Sequence, residues 1–250
     1  MEQRADHMKI LEVEKWKNSK ESFNGMDHID RCNNKDHFLN YNKNISYEYN
    51  SKGFRDEEWP ANLQNKIWCI GDSFTVGIGQ PHDETWPKLL EKSVRERCIN
   101  IGEDGCSNDL MSLRAKYIIE KYHPKTVIIM WSYFWRRFVD GKNVHFEHNK
   151  KELPKDDVDN FLRNFHAVNN LRHDVINFVI PDCFIESDLV TKNKFLKKNK
   201  KNINKILKYV DANISKKLIE VEQTDYARDG HHFGLSTTQK IVTQVVKYIE

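Results

Sequence analysis

From Lys66 onward, short apolar runs of strand length alternate with stretches whose apolar residues recur at helical spacing, and this alternation limits the possible folds more than any other feature. Ile67-Trp68-Cys69-Ile70 reads as a buried strand, and Trp86, Leu89, Leu90 and Val94 follow at helical spacing. Arg97 to Gly102 reads as a second strand. A helix is expected from about Asn108 to Tyr122, with Leu110, Leu113, Tyr117 and Ile118 on its apolar face and His123-Pro124 ending it. Thr126-Val127-Ile128-Ile129-Met130-Trp131 is the strongest strand, β-branched and continuous as strands covered on both faces are. Val158, Phe161, Leu162, Phe165, Val168 and Leu171 mark another helix, Val175 to Ile180 a fourth strand stopped by Pro181, and Leu218 to Glu222 a short fifth. The last helix carries Leu235, Ile241, Val242, Val245, Val246 and Ile249. Five strands alternating with helices predict an α/β fold: parallel neighbours need right-handed crossovers, which put helices on both faces of the sheet.

Three stretches lie outside this pattern. Residues 1–60 are polar but keep aromatics such as Trp16, Phe23, Phe38, Tyr47 and Trp59, so an irregular arm packed on a main domain of residues 61–250 is expected. Residues 140–157, charged and containing Gly141 and Pro154, read as an insertion or long loop. Lys192 to Lys208 is Lys-dense around a stripe of Phe195, Leu196, Ile203, Ile206 and Leu207, which reads as a helix with a solvated face.

At 250 residues the chain suits one large α/β domain or a domain with an arm. Its 40 basic and 37 acidic residues leave a net charge of +3, which argues against a nucleic-acid partner. The five cysteines form no Cys-x-x-Cys pair and read as free thiols in a reducing compartment. No apolar core for a signal peptide and no run near the ~18 apolar residues of a membrane span is present, so a soluble, cytoplasmic protein without a membrane partner is expected.

Chemistry is expected where the first strand ends in Gly71-Asp72-Ser73, because open α/β sheets keep their sites at the carboxyl ends of strands. A serine hydroxyl needs a general base and a third group to orient that base. Asp229-Gly230-His231-His232, just before the last helix, offers both. The Asp-x-x-His spacing lets Asp229 fold back onto the imidazole of His232, with His231 as the rival base. Other motifs are weaker. Gly71 to Gly79 lacks the Lys-Ser/Thr of a phosphate-binding loop, His145-Phe146-Glu147-His148 has no third ligand, and Cys106 reads as a structural thiol. No metal or organic cofactor is expected.

With both ends in view, residues 49–250 resemble the SGNH (GDSL-type) hydrolase family, on Gly71-Asp72-Ser73, Asn100-Ile101-Gly102-Glu103-Asp104-Gly105 and Asp229 to His232. The resemblance implies a three-layer αβα sandwich with a five-stranded, flavodoxin-like sheet of order 2-1-3-4-5. It also implies Ser73 as nucleophile, His232 as base, Asp229 as its orienter, and the backbone N–H groups of Ser73 and Gly105 as oxyanion donors. Tyr49 to Asp56 is similar to an Asn-x-x-Gly-Phe-Arg segment of such proteins, where Gly53 would turn the chain and Arg55 pair with a carboxylate. The third block departs from the family: in place of Gly-x-Asn-Asp the chain reads Trp131-Ser132-Tyr133-Phe134-Trp135-Arg136. Ser132, Arg136 and Asn108 are the candidates for the missing donor, Asn108 because a subset of SGNH-like proteins pairs Gly-x-Ser-Asn with Trp-Ser/Thr-x-x-x-Arg. Asp72, Ser132 and Arg136 are also expected to bind substrate, Arg136 through an anionic group. Trp131, Tyr133 and Trp135 are expected in core or rim packing.

The resemblance implies a serine esterase acting on a small-molecule or carbohydrate ester, such as a sugar O-acetyl group. An acyltransferase would use the same site with a sugar hydroxyl in place of water. The rivals are a carbohydrate-binding or structural domain without turnover, and a thioesterase or lysophospholipase, which needs an apolar acyl channel.

Overall fold

The computed structural model describes residues 10–145, 155–171, 175–181 and 218–249. The Lys192–Lys208 stripe, Cys183, Pro154 and the stretch from Phe146 to His148 lie outside the described residues.

The arm contributes two short strands, β1 (Lys20–Glu21) and β2 (Tyr47–Glu48), which pair antiparallel, and a short helix between them, α1 (Lys35–Leu39). Leu11, Val13 and Phe54 enter the main hydrophobic core, and the Ile10 carbonyl accepts a hydrogen bond of 2.7 Å from Arg114 Nε.

The main sheet is β3 (Ile67–Gly71), β4 (Cys98–Asn100), β5 (Thr126–Trp131), β8 (Val175–Val179) and β9 (Leu218–Glu220), in the order β4-β3-β5-β8-β9 and parallel throughout. This is the 2-1-3-4-5 order. Every residue of β3, β5 and β8 is buried, which is why these strands read as unbroken apolar runs.

A one-turn helix, α2 (Ser73–Val76), leaves β3, followed by α3 (Trp86–Val94), α4 (Asn108–Tyr122), α5 (Lys155–Asn169) and α6 (Leu235–Ile249). Helix α3 packs with α6 and α4 with α5, completing the three-layer sandwich. Ser107 starts α4 by accepting the Leu110 N–H at 3.3 Å, and His123, in the left-handed region, ends it before Pro124.

The stretch read as a loop from residue 140 begins differently. β6 (Arg136–Val139) and β7 (Lys142–His145) form an antiparallel hairpin around Asp140 and Gly141, both at positive φ (48° and 75°). Consecutive left-handed residues match the right-handed twist of hairpin strands. The exposed, charged character of these strands hides them from a search for apolar runs.

Candidate active site

Strand register brings the first three blocks together. Cys69 lies opposite Asn100 and Gly71 opposite Met130, so the chain leaves β3, β4 and β5 at one rim. There Asp72 caps α2, its Oδ1 accepting the Phe74 N–H at 3.1 Å. The loop after β4 is drawn onto this turn: Glu103 N–H donates to the Gly71 carbonyl at 3.1 Å and Asn100 Nδ2 to the Thr75 carbonyl at 3.1 Å. Gly102 is required by proximity, since a Cβ there would stand 2.6 Å from the Val76 nitrogen. Gly105 turns the loop at φ +75°. The backbone N–H groups of Ser73 and Gly105 have no acceptor among the described residues, and neither does the Ser73 hydroxyl.

The base arrives from the other end of the chain. His232 Nδ1 and Asp229 Oδ2 are 2.5 Å apart, while Asp229 Oδ1 accepts the backbone N–H groups of His231 (2.9 Å) and His232 (3.0 Å). Burial works against both ions, but their mutual attraction and these hydrogen bonds outweigh it: Asp229 titrates below, and His232 above, its ordinary range. The carboxylate on Nδ1 selects the tautomer with the proton there and leaves Nε2 as the basic nitrogen. Nε2 is buried and has no partner. His231, by contrast, offers its ring Nδ1 to Asn33 Nδ2 at 3.5 Å, so Asp229 chooses between the two histidines in favour of His232.

The loop carrying this pair is fixed beside the nucleophile. The His232 ring lies 4.7 Å from that of Phe74, the residue after Ser73, and Arg228 N–H donates to the Gly79 carbonyl at 3.0 Å. Among the described residues neither Ser73 Oγ nor His232 Nε2 has a hydrogen-bond partner, and the two are not bonded to each other; such contacts are often long without substrate.

No protein-family model matches the chain, and no curated protein matches its sequence. Solved structures do match. A family two carbohydrate esterase from Clostridium thermocellum in complex with cellohexaose aligns with TM-score 0.50 at 15% identity, over 77% of this chain and 66% of that one. A carbohydrate esterase family 2 enzyme with a carbohydrate-binding domain, from Corynascus thermopiles (Myceliophthora fergusii), aligns with TM-score 0.51 at 15% identity, over 78% and 68%. The chain has the SGNH hydrolase fold. It spans about two thirds of the length of these two esterases. A putative GDSL-like lipase from Bacteroides ovatus aligns with TM-score 0.48 at 15% identity, over 77% of this chain and 56% of that one.

Within the SGNH fold the third block is rebuilt around an ion pair. Arg136 Nη1 donates to Asp72 Oδ2 (2.9 Å) and to Ser132 Oγ (2.8 Å), and the Ser132 hydroxyl donates to Asp72 Oδ2 (2.5 Å). Asp72 and Ser132 are fully buried and spend their side-chain polar atoms on one another, on Arg136 and, at Asp72 Oδ1, on the Phe74 N–H, so neither has surface for a substrate. They hold Arg136, whose guanidinium carbon lies 4.8 Å from the Tyr133 ring centre. Asn108 is committed as well: its amide nitrogen donates to the Ser132 and Tyr133 carbonyls and its oxygen accepts the Ser132 N–H at 2.8 Å, so it braces the exit of β5.

Arg55 differs from its expected role. Its guanidinium donates to the carbonyls of Ser46, Val76, Gly77 and Gln80 rather than to a carboxylate, tying the arm to the end of α2. Cys106 is buried with its thiol pushed well up by burial, which keeps it protonated and inert as a nucleophile. Trp131 and Tyr133 are buried, and Tyr133 stacks on Trp135 at 4.5 Å.

Residues that sequence reasoning missed come from the arm. Asp27 receives Arg228 Nε (2.7 Å) and Nη2 (2.6 Å) and also the Tyr47 hydroxyl (2.6 Å), which in turn accepts the Gly79 N–H (2.8 Å). Asn33 N–H donates to the Asp229 carbonyl at 2.8 Å. The arm thus bridges the turn after Ser73 and the loop of His232. Arg228 beside Asp229 was the available signal, but its partner is 201 positions away. A cleft of about 810 Å³, walled by Ile10, Glu12 and Lys15 of the arm, runs past Asp104 and Gly105 to Lys142, Asn143 and His145 of the hairpin. Asn143 ties that hairpin to the loop, accepting the Ser107 N–H at 3.0 Å and donating to Glu103 at 3.2 Å.

Proposed function

We propose that the protein is a serine esterase that hydrolyses short acyl esters, with Ser73 as nucleophile, His232 as general base and Asp229 as its orienter. The observation that carries this reading is the buried Asp229 and His232 pair, held against the Ser73 turn with Nε2 unpaired. Ser73 Oγ attacks the ester carbonyl as His232 Nε2 takes its proton; the carbonyl π pair moves to oxygen, where the N–H groups of Ser73 and Gly105 meet it. Collapse expels the alcohol, protonated by His232, and leaves an acyl-serine. Water, deprotonated by the same imidazole, releases the acid and restores the serine. Throughout, Asp229 stays ionised and stabilises the imidazolium. The reading requires no metal or organic cofactor. A carbohydrate ester is the favoured substrate class, supported by the likeness in fold to two carbohydrate esterases, one of them in complex with cellohexaose.

The test is labelling with a serine-directed fluorophosphonate and mass spectrometry of the modified peptide. Modification of Ser73 is expected, absent in Ser73→Ala and strongly slowed in His232→Ala. A folded wild-type protein that takes up no label would refute the esterase reading and leave a glycan-binding domain as the alternative.

A further inference from the structure

We propose that Arg136 supplies the third donor to the acyl oxyanion, its guanidinium standing where the fold's relatives of this type are expected to carry an asparagine amide. This rests on the serine esterase reading of the same site. Two of the three candidate donors are already committed. Asn108 has given both amide hydrogens to backbone carbonyls, and Ser132 has given its only hydroxyl hydrogen to Asp72. Arg136 alone has N–H groups to spare. Its Nη1 holds Asp72 and Ser132; its Nε is buried without an acceptor; and Nη2, which is not sealed from solvent, has no acceptor among the described residues. The Arg136 side chain is only 7% exposed, yet among the described residues just one of its three guanidinium nitrogens is engaged, by partners that are themselves satisfied. The contrast lies in the terminal nitrogens: Arg55, whose Nε is likewise buried without an acceptor, spreads four hydrogen bonds over its two, and Arg114 engages both of its own.

Position supports the same role. The carboxylate that anchors Arg136 belongs to the residue before Ser73, and its other oxygen holds the N–H of the residue after it. On the far side, Arg136 lies opposite His145 in the hairpin, and the His145 Nε2 would stand 3.3 Å from a Cβ on Gly105. Arg136 therefore links the elements that bring the two backbone donors. Asp72 fixes its orientation, so little reorganisation is needed when charge develops on the carbonyl oxygen. Arg136 exchanges no proton in this step; it lends an N–H to an oxygen that turns from neutral to anionic. A charge-assisted donor of this kind is roughly twice as strong as a neutral amide, which accounts for a site that dispenses with the usual Asn-Asp block.

The experiment compares wild type with Arg136→Ala on a chromogenic acetyl ester and on the fluorophosphonate. Loss of one oxyanion donor is expected to lower kcat by about 10² to 10³ and slow phosphonylation of Ser73 in parallel, with KM nearly unchanged. Added methylguanidinium is expected to restore part of kcat, which a merely structural role would not allow. If the single variant does not fold, Asp72→Asn combined with Arg136→Met removes both members of the ion pair and is judged by the same kcat and KM criteria. A folded variant that labels as fast as wild type overturns the assignment, and so does one whose KM rises while kcat stays, since Arg136 would then be an anchor for bound substrate. Failure of wild type itself to label at Ser73 removes the esterase reading, and with it this inference; the two failures are thus distinguishable.

Discussion

Replacing Asp27 by alanine tests whether the arm belongs to the site. Asp27 is wholly buried and accepts three hydrogen bonds, two of them from Arg228, whose side chain is 13% exposed. Removing one member of a buried ion pair destabilises by about 3 to 5 kcal/mol, because the remaining charge is left without a counterion. The partial exposure of Arg228 lets water take up some of that penalty, so the lower end applies, about 3 kcal/mol. The Tyr47 hydroxyl also loses its acceptor, adding about 1 kcal/mol. At about 2 to 4 °C per kcal/mol for a chain of this size, the melting temperature should fall by roughly 8 to 16 °C. Differential scanning fluorimetry reads the shift, and a kinetic assay well below the new melting point reads the loss of kcat caused by loosening the His232 loop. Combining Asp27→Leu with Arg228→Met should recover part of the stability, since no unpaired charge then stays buried. A fall of under about 2 °C, or a double variant as unstable as the sum of the singles, would refute the reasoning.

Three further outcomes follow from the site. Because His232 must be neutral to accept the Ser73 proton and its pKa is raised by Asp229, kcat/KM should climb through an apparent pKa above the ordinary histidine value; Asp229→Asn should move that pKa down while lowering the rate. Stability should run the opposite way. The raised His232 contributes fully below about pH 6.5 and loses its contribution as pH rises through its folded value, whereas the depressed Asp229 loses its own as pH falls; melting curves should therefore show the pair's stabilisation greatest between about pH 4 and 6.5, on the acid side of the activity rise. Gly102→Ala sets a methyl against the backbone of Thr75 and Val76, which cannot yield as a side chain would; it should destabilise by about 1 to 3 kcal/mol and slow Ser73 labelling even where the protein remains folded.

The sheet was legible because its strands are covered on both faces: Thr126 to Trp131 and Val175 to Ile180 have no polar alternation to blur them. The turn at Ser73 and the contact between Asp229 and His232 were legible because each lies in a short motif beside a strand or before a helix. The hairpin was not, since Arg136, Arg137 and Lys142 give its strands a solvated look and only the positive φ of Asp140 and Gly141 reveals the turn. Arg55 was recognised as important but given the wrong partner, because backbone carbonyls leave no mark in a sequence. Asp27 and Tyr47 could not be found at all. Their role depends on a contact across nearly the whole chain, and no local pattern announces it.

The hairpin after Arg136 also separates two kinds of evolutionary change. Its first residue anchors on Asp72 beside the nucleophile, while its tip at Gly141 has open space around it and borders the cleft. Insertions or replacements at Asp140 and Gly141 can reshape the wall of that cleft while the residues around Ser73 stay as they are, so the cleft and the Ser73 turn can diverge independently from one descendant to another.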